Sequence, residues 1–112
     1  MGYVPGRGHA IWLSFDPQPG HEQGGRRRAL VVSPASYNEK VGLALVCPIT
    51  SRVKGYPFEV ETPKGSGVEG VVLSDQVKSL DWEKRKVEFI CQVPGRVIRD
   101  VVSKLHILLE AE

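Results

Sequence analysis

Apolar positions along this chain come in short bursts separated by glycine, proline and charged residues. From Ala10 to Asp16 they alternate, with Ile11, Leu13 and Phe15 set against Ala10, Trp12 and Ser14. That period of two predicts a first strand. The unbroken run Ala29–Ser33 predicts a second strand, buried on both faces. "LALVCPI" from Leu43, "YPFEVET" from Tyr56, "EGVVLSD" from Glu69 and "RKVEFICQV" from Arg85 predict four more. Between the second and third, "PASYNEKVG" reads as a turn or one short helical turn. Beyond Pro94 the period changes. Val97, Ile98, Val101, Val102, Leu105, Leu108 and Leu109 recur at helical spacing, while Arg96, Arg99, Asp100, Ser103 and Lys104 take the other face. Pro94 suits the start of that helix. The expected architecture is mainly β: a small twisted barrel of about six strands closed by one amphipathic helix, a single domain over residues 1–112.

Length agrees, since 112 residues suffice for one hydrophobic core and not for two. Net charge is +2, too mild to demand or exclude a nucleic-acid partner, so the placement of the charges matters more than their sum. Cys47 and Cys91 sit in apolar strand-like runs and read as buried free thiols. The N-terminus shows no secretory pattern, position 6 is Gly6 rather than the Ser or Thr of a myristoylation signal, and no apolar run reaches the ~20 residues of a membrane helix. The expectation is a cytoplasmic protein without a membrane partner.

Most catalytic chemistries find no motif. His9, His21, His106 and the two cysteines fall at no metal-ligand spacing, so no metal or other cofactor is expected. Neither cysteine has an electropositive setting, no Gly-x-Ser-x-Gly elbow occurs, and "PKGSGVEG" lacks the Lys-Ser/Thr of a phosphate-binding loop. What stands out is polar chemistry at strand ends. Glu22, Gln23, Arg26, Arg27 and Arg28 precede the second strand, and Thr50, Ser51, Arg52 and Lys54 follow the third. Antiparallel pairing of those strands would bring the two groups to one sheet edge. Arginine's planar fork matches two phosphate oxygens, and a hydroxyl adds a short donor. Two readings stay open at this level: a phosphodiester site, or a solvated rim of charges whose aliphatic stems cover the barrel.

The segments "HEQGGRRRALVVSP", "VCPITSRVKGYPFEV" and "GVVLSDQVKSLDW", in that order, resemble the MazF/PemK family of toxin endoribonucleases, and the similarity runs from about Ala10 into the C-terminal helix. The resemblance implies an SH3-like barrel with a C-terminal helix (CcdB/PemK-like), a homodimer, and metal-independent, sequence-specific cleavage of single-stranded RNA. Attack by the 2′-hydroxyl would leave 2′,3′-cyclic phosphate and 5′-hydroxyl ends, halting translation and growth. It also implies a MazE-like antitoxin partner, with DNA contacted only through an antitoxin–operator complex. Carried onto this chain, the arginine of the family's Glu-Gln-x-Gly-x-Arg motif is Arg27, its threonine is Thr50, and its acidic position is Glu22. These three are the catalytic candidates. The family usually has proline after that arginine; here Arg28 replaces it.

Gln23, Arg26, Arg28, Ser51, Arg52, Lys54, Tyr56 and Lys78 are the RNA-binding candidates, with Tyr56, Phe58 and Trp82 as possible stacking platforms. All three fit a structural role better, with Phe58 expected to point inward and Tyr56 preceding Pro57 at a turn, and Trp12 with the apolar helix face suits core or dimer contacts. Asp75, Asp81 and Glu83 would repel RNA and fit a dimer border. An alternative from another class keeps the fold and drops the catalysis: a CcdB-like toxin that binds gyrase without nuclease activity. A module that only binds the antitoxin is a third.

Overall fold

The computed structural model describes residues 2–14 and 25–111. Among these described residues, seven strands and two helices follow in the order β1 (His9–Ser14), β2 (Arg26–Val31), α1 (Ala35–Val41), β3 (Leu43–Thr50), β4 (Glu59–Glu61), β5 (Val71–Leu73), β6 (Lys78–Asp81), β7 (Glu88–Gln92) and α2 (Gly95–Glu110). A short 3-10 turn, Trp82–Arg85, links β6 to β7. All pairings are antiparallel. The mainly β architecture with a closing C-terminal helix is the expected one.

The organising element is β3. Its first half, Leu43–Val46, pairs with β6, whereas Ile49 and Thr50 pair with β5. Pro48 falls at this change of partner, where a residue without an N–H is tolerated. Along its other edge β3 pairs with β2, so the sheet runs β4-β5-β3-β2-β1-β7 and turns the end of β3 toward the β4–β5 hairpin. Alternation then sorts side chains onto two buried faces. Ala10, Leu30, Cys47, Ile49, Val72 and their neighbours pack beneath Val97 and Val101 of α2. Ile11, Leu13, Ala29, Val31, Ala44 and Val46 form the opposite cluster against Leu80, Trp82 and Val87. Both cores end where the arginines of β2 begin.

Several boundaries differ from expectation. β2 starts at Arg26, not Ala29, because the ladder with β1 continues through Trp12↔Arg28, Leu13↔Arg27 and Ser14↔Arg26. Main-chain pairing recruits charged residues that carry no strand signature. Of the two readings of the segment after Pro34, the helical one holds, extended to seven residues with Gly42 at the C-cap. Its anchor is Asn38, fully buried, whose Nδ2 donates to the Pro5 and Ser33 carbonyls at 2.7 and 3.1 Å. β6 was not expected; "KSLD" contains one apolar residue and reveals itself only by pairing with β3. Pro94 stands at the start of α2 as expected, as its N-cap. The far half of the α2 stripe is uncovered, with Val102, Ile107, Leu108 and Leu109 exposed.

Both cysteines are free thiols, Cys47 buried and Cys91 half-buried. Burial pushes the Cys47 thiol up to about 12, with Asp75 adding to the effect. At pH 8 it therefore carries almost no thiolate. We predict that iodoacetamide leaves Cys47 unmodified in the native protein and labels it once guanidinium unfolds the chain; peptide mass spectrometry reads the difference. Native labelling at Cys47 would show that this core opens.

Candidate active site

The β2–β3 register pairs Ala29 with Pro48 and Leu30 with Cys47. Continued by two residues, it sets Arg27 opposite Thr50. The antiparallel edge expected from the sequence is therefore present, and it opens into a cavity of about 350 Å³ lined by Trp12, Gly25, Arg26, Arg27, Arg28, Ile49, Thr50 and Ser51. A second cavity, of about 160 Å³, is lined by Thr50, Arg52, Lys54, Tyr56, Glu59, Leu73 and Gln76. Thr50 is common to both and separates them.

The three arginines are not equivalent. Arg26 is committed to its own fold: its guanidinium pairs with Glu88 at 3.1 Å and donates to the Lys86 carbonyl at 2.9 Å and Ser14 Oγ at 3.2 Å. Much of its charge is answered locally. Arg28 donates to the main-chain carbonyl of Glu69 at 3.0 Å and so ties β2 to the β4–β5 hairpin. The Glu69 carboxyl is held below its usual range, first by its own main-chain N–H and that of Gly65, and to a smaller degree by Arg28. Arg27 is exposed and stands beside Thr50 in the cavity wall.

Thr50 Oγ1 accepts the Arg52 N–H at 3.1 Å. This turn fixes the oxygen and leaves the hydroxyl proton to donate outward. The strand that carries Thr50 is clamped from both sides, by β2 on one edge and by Val71 of β5 on the other. Past Thr50 the chain loops back, and the Glu59 carboxylate accepts the N–H groups of Lys54 and Gly55 at 2.9 and 2.8 Å. Arg52 and Lys54 are thereby held at the second cavity. Tyr56 Oη donates to Asp75 Oδ1 at 2.8 Å, and that bond, more than burial, raises its pKa. The phenol stays neutral and its ring is fixed.

Of the site residues expected from the sequence, Arg26, Arg27, Arg28, Thr50 and Ser51 meet in one cavity, and Arg52, Lys54 and Tyr56 in the next. Lys78 lines neither; it pairs with Val46, four residues before Thr50 on β3, about 13 Å away at the rise of a strand. Glu22 and Gln23 lie outside the described residues. Phe58 is half-buried at the start of the β4–β5 hairpin, and its carbonyl accepts from Ser74. Trp82 packs into the second core cluster and donates to the Asn38 carbonyl, a structural role. Sequence reasoning missed Trp12, Glu59 and Gln76 as cavity residues. Trp12 had a signal, since it falls on the polar side of the β1 alternation; Glu59 and Gln76 had none. Among the described residues no group of three or more His, Cys, Asp or Glu side chains could hold a metal ion. The arrangement is one of fixed cations and hydroxyls around a space, suited to binding a phosphodiester and stabilising charge that builds on it.

Comparison with known proteins agrees with that chemistry. Residues 6–109 match the family model described as PemK-like, MazF-like toxin of type II toxin–antitoxin system. The endoribonuclease toxin MazF of Escherichia coli (strain K12) is 43% identical over 107 residues, covering 96% of each chain. Endoribonuclease PemK of Escherichia coli is 36% identical over 107 residues, covering 88% of this chain and 78% of its own. Among solved structures, a MazE–MazF complex from Deinococcus radiodurans matches with a TM-score of 0.93 and 55% identity, covering 99% of this chain and 100% of that one. A mycobacterial endoribonuclease solved with its cognate antitoxin, 17% identical with a TM-score of 0.77, shares the fold.

Proposed function

Because this chain belongs to the PemK-like, MazF-like toxin family of type II toxin–antitoxin systems, we propose that the cavity joining Arg27 to Thr50 is where it cleaves RNA. The protein is an endoribonuclease toxin, neutralised by an antitoxin. Single-stranded RNA, which can splay its bases apart, is the substrate proposed here, and the cytoplasm the place of action. The observation that carries the reading is the open cavity at the end of the β2–β3 pairing whose wall holds both Arg27 and Thr50.

The chemistry follows from those two groups. The ribose 2′-hydroxyl attacks its own adjacent phosphorus, the bond to the 5′ oxygen breaks, and a 2′,3′-cyclic phosphate and a 5′-hydroxyl result. The nucleophile belongs to the substrate, so no water has to be activated. Arg27 binds the non-bridging oxygens through its fork and neutralises the charge that grows on them, while Thr50 donates its hydroxyl to the same phosphate. Arginine stays protonated in proteins, so it serves as charge stabiliser and hydrogen-bond donor rather than as base. Glu22 is the candidate acceptor of the 2′-hydroxyl proton. Arg28, Ser51, Arg52 and Lys54 attract the flanking backbone, and the fixed ring of Tyr56 offers a base a stacking surface.

We propose also that the exposed far half of α2, with Val102, Leu108 and Leu109, is covered in a homodimer. A gyrase-binding toxin without nuclease activity is not favoured, since the curated relatives reported above are endoribonucleases by name.

The test is direct. Purified protein is incubated in excess EDTA with a long mixed-sequence RNA and the matched DNA, and fragment ends are read by mass spectrometry. Cyclic-phosphate ends at one recurrent motif, with DNA untouched, are the expected outcome. Cleavage of DNA, fragments ending in 3′-hydroxyl, or activity lost to the chelator would sink the 2′-hydroxyl mechanism.

A further inference from the structure

We infer that Trp12 is a base-stacking residue of this endoribonuclease, which holds one nucleobase next to the phosphate bound between Arg27 and Thr50. The inference rests on the reading of that cavity as the RNA site. Trp12 lies in the middle of β1, opposite Arg28 of β2, and its side chain forms part of the same wall as Arg26, Arg27, Arg28, Thr50 and Ser51. Within a strand whose neighbours Ile11 and Leu13 are buried to within 1%, the indole is 37% exposed.

The surroundings decide what an exposed indole is for. A tryptophan that seals a contact between two proteins sits among apolar neighbours, in a patch depleted of charge. Exposed apolar side chains of that kind, Val102, Leu108 and Leu109, lie on a different element, α2. Trp12 instead shares its cavity wall with three arginines and two hydroxyls beside Ile49, and its cross-strand partners are Arg28 and Glu88. Cations that follow a phosphate backbone, with an aromatic face between them, are the recurrent way of holding single-stranded nucleic acid. The second cavity repeats the pattern, with Arg52 and Lys54 around the ring of Tyr56. Thr50 lies between the two. An RNA whose scissile phosphate rests on Arg27 and Thr50 therefore has one aromatic surface on either side, which splays the two flanking bases apart.

Stacking uses ring area, which phenylalanine keeps in part and leucine does not. In steady-state cleavage of an oligonucleotide carrying the target sequence, Trp12→Ala and Trp12→Leu should raise KM by roughly 5- to 150-fold with kcat changed by less than about 3-fold. Trp12→Phe should recover most of the loss. An uncleavable oligonucleotide, 2′-deoxy at the scissile position, should quench tryptophan emission in the wild type and leave that of Trp12→Phe unchanged, since Trp82 lines neither cavity and is tied to the Asn38 carbonyl. Sedimentation of each variant separates this from a role between protein chains. Wild-type KM in Trp12→Leu, or a KM defect that tracks dissociation of an oligomer and is not relieved by phenylalanine, would overturn the assignment. Arg27→Ala run alongside keeps the two readings apart: an inactive Arg27→Ala beside an unaffected Trp12→Leu removes only the stacking role. An active Arg27→Ala removes the cavity itself as the RNA site.

Discussion

Replacing Arg27 by alanine should lower kcat/KM for RNA cleavage by roughly two to three orders of magnitude, the usual effect of deleting one preorganised charge-stabilising donor. The melting temperature should stay within a few degrees of wild type, because the side chain is exposed at the end of β2 and neither core cluster includes it. Arg27→Lys keeps the charge and loses the fork, so it should fall between the two. Arg26→Ala is the informative contrast. It removes an equal charge from the same cavity wall, from a side chain that bridges Glu88 in an exposed pair of the kind worth about 0–1 kcal/mol. Its cleavage rate should change by less than about 10-fold. Equal losses for both arginines would mean that the cavity works through summed charge, and the specific role of Arg27 would be abandoned.

That contrast also shows what the sequence could convey. Three consecutive arginines announce a feature, yet nothing in the run distinguishes them. Their roles come from partners far away in the chain: Glu88 and Lys86 for Arg26, the Glu69 carbonyl for Arg28, and the β3 register for Arg27. The core strands β1, β2 and β3 were legible because burial on one or both faces imprints alternation or an unbroken apolar run. β6 was not, because its pairing with Leu43–Val46 is made by the backbone and asks little of Lys78, Ser79 and Asp81. The same holds for the first three residues of β2, whose arginines are strand residues only because β1 continues beside them. The strand-end convergence of Arg27 and Thr50 was readable as soon as two neighbouring strands were taken as antiparallel. The second cavity was only half readable. Arg52, Lys54 and Tyr56 are close in sequence, but Glu59, Leu73 and Gln76 join them through the β4–β5 hairpin.

The hairpin's fit against Thr50 gives the other large effect expected. Gly70→Ala should lower stability by roughly 2–4 kcal/mol, from left-handed strain and overpacking together. For a domain of this size that is a fall in melting temperature on the order of 10–20 °C. Gly70 has φ of +130°, a conformation that L side chains rarely adopt, and a Cβ there would collide with the Thr50 carbonyl oxygen and lie 2.9 Å from its carbon. The collision is with backbone and no rotamer relieves it. Gly70 cannot retreat easily, since its carbonyl accepts both the N–H and the hydroxyl of Thr62 at 3.0 Å. Strain must therefore pass to Thr50, the residue on which the two cavities meet. Activity should fall further than the melting temperature alone explains, when assayed well below the melting transition. Gly55→Ala supplies the comparison, because Gly55 has a similarly positive φ of +86° and nothing within 4 Å of the added atom. It should show only the conformational cost, about 1 kcal/mol, with cleavage preserved. If Gly70→Ala melts and cleaves like Gly55→Ala, the hairpin does not brace Thr50, and the hydroxyl is held by β2 and the Arg52 turn alone.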